Sequence, residues 1–393
     1  MKPQLDAAIV GLGLTGLTRT ESRSAAELAR LAVIAAADDA GIGISGIDGL
    51  ILCRSGGASD AVLGLDLQRA LGLRELKLNR IVLCEGASAL AAIQTAALAV
   101  SAGMATNVAC VFADAPVTPG TRISTAFGRQ KTGMGMEGLR YTAGLFGGAA
   151  VHALSAQRYL ALHGLSEDVL ADVAITTRAW ASLNPHASYR KPLSRSDYFS
   201  ARYIADPLRL FDCAAPVNGA IAVVVTTGAR AADGAQPAVR ILAYAEGHPG
   251  APDRQGFDRA LTHGGALAAK TMFERTGLTP ADIDICEFYD AFSIMPLLAL
   301  ESYGFYPPGH ACNAYAQGAA APGGTAMPIN TGGGHLSGYY LQGMTPVAEA
   351  VFQARRAAGD RQCARARTIL VTNEGGRLDY HAGMIFGSAG QWL

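Results

Sequence analysis

The stretch Asn330-Thr-Gly-Gly-Gly-His-Leu-Ser-Gly-Tyr-Tyr-Leu-Gln-Gly-Met-Thr345 decides the fold of this chain. Three shorter blocks accompany it: Gly86-Ala-Ser-Ala-Leu-Ala-Ala-Ile93, Glu287-Phe-Tyr-Asp-Ala-Phe-Ser293 and Asn373-Glu-Gly-Gly376. Two tyrosines in these blocks, Tyr289 and Tyr340, are of chemical interest, because a phenol can both donate and accept a proton.

The long stretch resembles the N-x-S-G-G-x-x-S-x-G-H-P-x-G-A-T block of thiolases, read without gaps. The positions that match the family are Asn330, Gly333, Gly334, Ser337, Gly343 and Thr345. Tyr340 lies where thiolases carry a catalytic histidine. The block around Tyr289 resembles N-E-A-F-A, or H-D-x-F-S in the sterol-carrier-protein thiolases, and Tyr289 takes the position of the Asn or His.

The two remaining blocks lack the cysteines of the family. Gly86 takes the position of the nucleophilic Cys in C-x-S-G-x-x-A-I, and Asn373 takes that of the proton-donating Cys in C-x-G-G. Short motifs in the middle of the chain are typical of the sterol-carrier-protein branch: Asn184-Pro, Lys191-Pro-Leu, Ala205-Asp-Pro-Leu and Asp212-Cys. The resemblance covers essentially the whole chain. It implies an α/β thiolase fold, in which two similar βαβαβ halves form a five-layer α-β-α-β-α sandwich.

The composition limits the possible functions. The chain has 393 residues, enough for two domains and a large core, and its formal net charge is +0. A neutral chain has no electrostatic footprint for nucleic acid or an anionic membrane. No apolar run reaches transmembrane length, and we expect no signal peptide.

Cysteine and histidine spacing indicates neither disulfides nor metal. The seven cysteines form no C-x-x-C pair, which favours reduced thiols in a cytoplasmic protein. The eight histidines are dispersed, without an H-x-x-x-H pair, so we expect no metal site.

Apolar strand-like runs alternate with alanine-rich helical runs. Strands are predicted at residues 7–11, 49–53, 107–112 and 220–225. Helices are predicted at residues 25–40, with Ser24 as N-cap and Gly41 as stop, and at 87–102. This alternation predicts an α/β domain with a mainly parallel sheet.

An internal repeat links the two ends of the chain. Leu31–Asp48 and Leu267–Asp284 each read as a helix, a glycine-containing loop and a strand, and each ends in Ile-Asp. The predicted division is an N-terminal half at 1–115 completed by 217–235, a loop domain at 116–216 and a C-terminal half at 236–393. The resemblance implies that the loop domain, with a helix near 149–160, covers the pocket and contacts coenzyme A.

A glycine motif near the start offers an alternative. Gly11-Leu-Gly-Leu-Thr-Gly16 is a G-x-G-x-x-G directly after a strand, as in dinucleotide-binding folds. However, no helix opens at Gly16, and the second strand ends at Arg54 without a ribose-binding acid. We therefore predict that the motif is a wide turn after the first strand.

Cys84 lies two residues before Gly86 and could replace the missing nucleophile. Shifting the alignment by two residues would break the Ser match, whereas the register at Gly86 holds through Ile93. We therefore expect Cys84 to be a small buried hydrophobe inside the strand. The nucleophile interpretation stays open as the weaker one.

Gly86 suits the strained strand-to-helix elbow that a thiolase nucleophile occupies, since glycine tolerates that geometry. The resemblance implies that the N–H groups of Gly86 and Gly375 form an oxyanion hole, which would survive loss of the cysteine. Asn330, His335 and Asp290 are further candidates for positioning the substrate. As a lone histidine, His335 suits a hydrogen-bonded structural role better.

Tyr289 and Tyr340 are the candidate catalytic residues, because they replace two polar catalytic groups of one pocket and are competent in acid–base chemistry. Without the nucleophile, acyl transfer by the covalent route should fail, while an enolate can still be stabilised. The chain resembles most the thiolase-like lipid-transfer proteins that act as retro-aldolases on β-hydroxyacyl-CoA side chains of sterols.

That resemblance implies a lyase without a covalent cofactor, with coenzyme A as part of the substrate. It also implies a homodimer and a small OB-fold acyl-CoA-binding partner. An acyltransferase using Cys84 and a non-catalytic acyl-CoA or lipid-binding subunit are the alternatives.

Overall fold

The computed structural model describes residues 6–54, 64–118, 142–232, 234–249, 258, 263–376 and 378–389. The strands are β1 (Ala8–Thr18), β2 (Gly49–Arg54), β3 (Leu78–Leu83), β4 (Val108–Asp114), β5 (Tyr203–Ala205), β6 (Leu208–Arg209), β7 (Asn218–Thr226), β8 (Val239–Gly247), β9 (Ile285–Glu287), β10 (Thr368–Gly375) and β11 (Tyr380–Gly387). The α-helices are α1 (Ala25–Asp39), α2 (Gly64–Ala70), α3 (Ser88–Ser101), α4 (Gly147–His163), α5 (Asp168–Leu183), α6 (Arg195–Ser200), α7 (Gly228–Ala231), α8 (Gly265–Thr276), α9 (Ile294–Ser302) and α10 (Met344–Ala354).

Nine strands form one sheet in the order β3-β2-β4-β7-β1-β8-β11-β10-β9, and β5 pairs with β6. The large sheet has two parts, because β1 and β8 are joined at only two positions, Ala8 with Arg240 and Ile9 with Val239. The first part contains β1 to β4 and β7, and the second contains β8 to β11.

The sheet is mixed, so the expectation of a mainly parallel sheet was wrong. β2 runs parallel to β3 and β4, and β9 runs parallel to β10. The other pairs in the large sheet are antiparallel. The prediction failed where no crossover helix joins sequential strands: β10 and β11 form a hairpin, which makes neighbouring strands antiparallel.

Helices fill three layers around the two sheet parts. α3 and α10 lie between them and contact both β7 and β10. α1 covers the outer side of the first part, and α8 covers the outer side of the second. Three apolar clusters fill the spaces between these layers. The result is the α-β-α-β-α sandwich predicted from the sequence.

The internal repeat is confirmed by matching backbone contacts. Gly41 and Gly277 follow α1 and α8 with φ values of 71° and 73°. Asp48 accepts hydrogen bonds from the two N–H groups that precede β4, at 2.8 and 2.9 Å. Asp284 accepts from the two N–H groups at the start of β10, at 2.8 and 3.3 Å. In each half, one aspartate therefore fixes the entry of the strand beside it.

The glycine motif near the N-terminus lies inside β1, so its prediction as a wide turn was wrong. A Cβ at Gly11 would lie 2.1 Å from the Ala36 carbonyl oxygen, and one at Gly13 would lie 2.1 Å from that of Ala32. These glycines let α1 pack directly on the strand. They are packing residues and form no phosphate loop.

The segment between β4 and β7 holds α4, α5 and α6 with the small β5–β6 sheet. The helix predicted near 149–160 is α4. The predicted boundaries at 116 and 217 fall between β4 and β7, and the division into three units stays a prediction. Residues 119–141 of the predicted loop domain lie outside the described residues.

β3 is one edge of the large sheet, and Ile81 and Leu83 are 43% and 55% exposed there. β4 lies inside the sheet between β2 and β7, so residues 107–112 offer no edge for pairing. Its apolar sequence reflects burial between layers rather than an open edge. Within the described part of the chain, no helix is long and apolar enough to cross a membrane.

Candidate active site

The structure brings the two predicted tyrosines into contact. Tyr289 follows β9 and Tyr340 precedes α10, and their hydroxyl oxygens lie 2.9 Å apart. The rings meet nearly edge to face, at 77°. Burial raises the pKa of Tyr340 to about 12. Burial, and after it the Tyr340 phenol, raises the pKa of Tyr289 well above its usual value. Both phenols therefore keep their protons at neutral pH.

Tyr289 fills the space in front of Gly86. A Cβ on Gly86 would lie 2.5 Å from the Tyr289 hydroxyl and 2.0 Å from the Glu374 carbonyl oxygen. Real Cβ atoms do not approach other atoms this closely, so a cysteine at residue 86 does not fit beside this tyrosine. Tyr289 in this position and a side chain on residue 86 therefore exclude each other.

Gly86 lies at the elbow between β3 and α3, as the sequence predicted, but the strained residue is its neighbour. Glu85 has a φ of 50°, in the left-handed region, whereas Gly86 is not among the residues with positive φ. The glycine is therefore required by the close approach of Tyr289 and Glu374, and the expectation that it relieves backbone strain was wrong.

Gly375 lies directly beside this elbow. A Cβ on Gly375 would be 2.2 Å from the Cys84 carbonyl oxygen and 3.1 Å from the Gly86 nitrogen. The two candidate oxyanion residues are thus backbone neighbours, and neither has room for a side chain. The fold brings them together although they lie near opposite ends of the chain.

Asn373, in the position of the second thiolase cysteine, holds two elements together. Its Oδ1 accepts from the Leu90 N–H at 3.1 Å, and its Nδ2 donates to the Gly343 carbonyl oxygen at 3.2 Å. The amide therefore connects α3 to the start of α10. These contacts give it a structural function in place of proton transfer.

His335 and Asp290 form a fully buried pair behind the tyrosines. Nδ1 of His335 lies 2.9 Å from Oδ1 of Asp290, and Nε2 lies 2.7 Å from the Gln342 carbonyl oxygen. The imidazole centroid is 4.5 Å from the Tyr289 ring and 5.2 Å from the Tyr340 ring. The pair packs against both rings and fixes their positions.

Asn330 supports the same region through the backbone. Its Oδ1 accepts from the Phe288 N–H at 2.7 Å, and its own φ is 52°. Phe288 immediately precedes Tyr289, so this hydrogen bond fixes the start of the segment that carries the phenol. Asn330 therefore positions a candidate catalytic residue.

Cys84 lies just after β3 and is half-buried, so its placement inside the strand was wrong. Burial raises the pKa of its thiol, and the carboxylates of Glu246 and Glu85 add to this effect. The Cys84 N–H donates to Ser88 Oγ at 2.8 Å, which caps the turn into α3. This environment disfavours a Cys84 thiolate.

Sequence reasoning missed two acidic residues and a buried cluster. Burial raises the pKa of Tyr340 and the hydrogen bond from Tyr289 lowers it, while the charges of Asp114 and Glu85 add to the rise. His263, Glu374 and His381 converge behind the elbow, although they are dispersed in sequence. The cluster could have been found only from the pairing register of the β10–β11 hairpin, which places Glu374 opposite His381.

Comparison with known proteins places this chain among thiolase-like proteins, in agreement with its fold. Residues 254–388 match the family described as thiolase C-terminal domain-like. The chain is 36% identical to the 17-hydroxy-3-oxo-4-pregnene-20-carboxyl-CoA lyase of Mycobacterium tuberculosis, across 89% of this chain and 91% of that protein. The chain belongs to the thiolase superfamily.

Within the superfamily, it lies in the aldolase branch without the nucleophilic cysteine. It is 31% identical to the steroid side-chain-cleaving aldolase of Thermomonospora curvata, across 93% of this chain and 94% of that protein. The solved Ltp2-ChsH2(DUF35) aldolase superposes with a TM-score of 0.87 at 30% identity and covers 99% of both chains. As a member of this branch, the chain is an aldolase-type lyase.

Proposed function

We propose that this thiolase-like lyase cleaves the Cα–Cβ bond of a β-hydroxyacyl-CoA whose acyl group is a sterol or other lipid side chain. One observation carries the proposal: a tyrosine pair, with hydroxyls 2.9 Å apart, occupies the space of the thiolase nucleophile. The relatives named for a steroid-CoA lyase and a side-chain-cleaving aldolase support the substrate class.

The two phenols form a proton relay in this proposal. Tyr340 Oη accepts the proton of the substrate β-hydroxyl as the Cα–Cβ bond breaks and a ketone or aldehyde leaves. Tyr340 passes its own proton to Tyr289, and Tyr289 protonates the enolate carbon. The relay leaves both phenols neutral, which agrees with their raised pKa values. It needs no tyrosinate and no acyl-enzyme.

The enolate oxygen is stabilised by the backbone N–H groups of Gly86 and Gly375, which stay dipolar donors without a side chain. His335, Asp290 and Asn330 hold the tyrosines in place. Coenzyme A enters as part of the substrate, and no covalently bound cofactor takes part.

We further propose a homodimer and a small OB-fold acyl-CoA-binding partner in the cytoplasm. The exposed apolar edge of β3 supports the homodimer. The similar aldolase structure is named for two components, Ltp2 and ChsH2(DUF35), which supports a partner. All seven cysteines are free, as suits a reducing compartment.

The direct assay uses a β-hydroxyacyl-CoA with a branched β-carbon, with and without the OB-fold partner. We expect release of a ketone and a shortened acyl-CoA in equal amounts, without free coenzyme A as a co-substrate. Coenzyme A-dependent cleavage of acetoacetyl-CoA would instead indicate an acyltransferase. Binding of acyl-CoA without either reaction would indicate a non-catalytic subunit.

A further inference from the structure

A buried polar cluster lies behind the elbow, on the second part of the sheet. Glu374 and His381 are cross-strand neighbours on β10 and β11, and Oε1 of Glu374 lies 2.5 Å from Nδ1 of His381. The same oxygen is 2.8 Å from Nε2 of His263. The Tyr303 hydroxyl is 2.7 Å from Nε2 of His381. All four side chains are buried, so this network is isolated from solvent.

The donor set of two histidines and one glutamate resembles a zinc site, but the distances favour hydrogen bonds. Ligand atoms around a tetrahedral zinc with bonds of about 2.0–2.1 Å lie roughly 3.3 Å apart. Both nitrogens are closer to the carboxylate oxygen than that, at 2.5 and 2.8 Å. Nδ1 of His263 also accepts from the Gly265 N–H at 3.1 Å. Nε2 of His263 therefore faces the Glu374 carboxylate, although its orientation makes no regular hydrogen bond there.

The cluster therefore places the Glu374 carboxylate between the imidazoles of His263 and His381. Burial would raise the pKa of Glu374, but His263 and His381 lower it to about 2. Burial lowers the pKa of His381, although Glu374 opposes this effect. The Glu374 carboxylate is thus ionised at neutral pH. The Tyr303 hydroxyl donates to His381 and closes the chain of hydrogen bonds.

The same residue forms part of the candidate active site through its backbone. The Glu374 carbonyl oxygen packs against Gly86, where a Cβ would be 2.0 Å away, and Gly375 follows it. After burial and the Tyr340 phenol, the charges of Glu85 and Glu374 also raise the pKa of Tyr289. Glu374 thus contacts the elbow with its main chain and the buried cluster with its side chain.

We propose that Glu374 is a positioning residue of the tyrosine pair: its carboxylate, held between His263 and His381, fixes the elbow peptide that packs against Gly86 and Tyr289. The catalytic part of this inference rests on the proposed function. Protonation of His381 ends the arrangement, because Nε2 then no longer accepts from Tyr303 and a positive charge enters the cluster. The cluster makes the site sensitive to acid.

The kinetic test compares Glu374→Gln with Glu274→Gln, an exposed glutamate on α8. We expect Glu374→Gln to lower kcat at least about tenfold with little change in KM, since Glu374 acts through Tyr289, and Glu274→Gln to match the wild type. Wild-type kcat should fall at a pH below the ordinary histidine pKa of about 6.5, because burial lowers the pKa at which folded His381 gains a proton. Tyr303→Phe removes a donor to neutral His381, so this acid limb should move to higher pH.

Thermal melting tests the cluster without any catalysis. The unfolded chain protonates His381 at a higher pH than the folded chain, so stability should drop as pH falls below about 6.5. The depressed Glu374 pKa adds a second loss between about pH 4.5 and 2. Groups that face His381 are His263, Glu374, Tyr303 and His248. His381→Gln should remove the first loss and reduce the second, because Glu374 then keeps only one of the two histidines that lower its pKa.

Several results would overturn the proposal. One is a wild-type pH profile and kcat in both Glu374→Gln and Tyr303→Phe. If Glu374→Gln does not fold, Tyr303→Phe alone decides: a kcat–pH profile whose acid limb has not moved would overturn the proposal. If the purified protein contains stoichiometric zinc that is lost in His263→Gln, the cluster is a metal site and the proposal is wrong. A wild type without lyase activity contradicts the proposed function, and the melting series then decides on the cluster.

Discussion

At the residue scale, the chemistry depends on which side chain occupies the space at the elbow. A Cβ placed on residue 86 would lie only 2.5 Å from the Tyr289 hydroxyl oxygen. A thiolase nucleophile and this tyrosine cannot both be present. Residue 86 therefore offers no side chain for a covalent step, and the Tyr289 hydroxyl lies beside it.

Gly86→Ala should be destabilised, because its methyl group meets Tyr289 and the Glu374 carbonyl oxygen. Overpacking of this kind typically costs about 1–3 kcal/mol. Adding Tyr289→Ala should recover part of that loss, since one of the two obstacles is removed. Denaturant unfolding of the two single variants and the double variant measures the coupling. Strict additivity would mean that the two residues do not share this space.

Cys84→Ala should keep turnover within about twofold, because burial and nearby carboxylates disfavour its thiolate. Mass spectrometry after incubation with acyl-CoA should find no adduct on the wild-type thiol. An acyl-Cys84 adduct, or loss of turnover with binding retained, would revive the acyltransferase hypothesis.

At the element scale, the helices and strands that the sequence predicted are present, but one glycine-rich segment was misread. Ser24 and Gly41 marked the ends of α1, because caps act locally. The glycines of β1 were misread as a turn, since their reason is contact with α1, which local sequence does not show. The resemblance identified Tyr289 and Tyr340 as candidates. Their hydrogen bond and the Glu374 cluster were not predicted, because they depend on contacts between residues that are distant in sequence.

The repeat allows a matched test in the two halves. Asp284→Ala should lower the free energy of unfolding by about 1–3 kcal/mol, because it leaves two buried N–H groups at β10 without acceptors. Asp48→Ala should cost less, since the Asp48 side chain is 20% exposed and that of Asp284 is 1% exposed. Chemical denaturation measures both. If Asp48→Ala loses more unfolding free energy than Asp284→Ala, the two aspartates do not have equivalent roles whose energies follow their burial.

At the scale of the whole molecule, the open edge of β3 invites pairing with a second copy of the chain. Light scattering at micromolar concentration should show a dimer. Ile81→Lys should favour the monomer, because its side chain is exposed on this edge. Leu267→Lys, on the outer helix α8, is the control and should leave the dimer intact. A monomeric wild type would contradict the proposal.

The central claim is that the tyrosine pair performs the chemistry, and turnover by Tyr289→Phe and Tyr340→Phe tests it most directly. Each variant removes one hydroxyl and keeps the ring that packs against His335. General acid–base groups contribute about 10²–10⁴-fold, so kcat for cleavage of the branched β-hydroxyacyl-CoA should fall by that order, with a modest change in KM. Wild-type kcat in both variants would show that the tyrosines only pack the pocket, and would contradict the account.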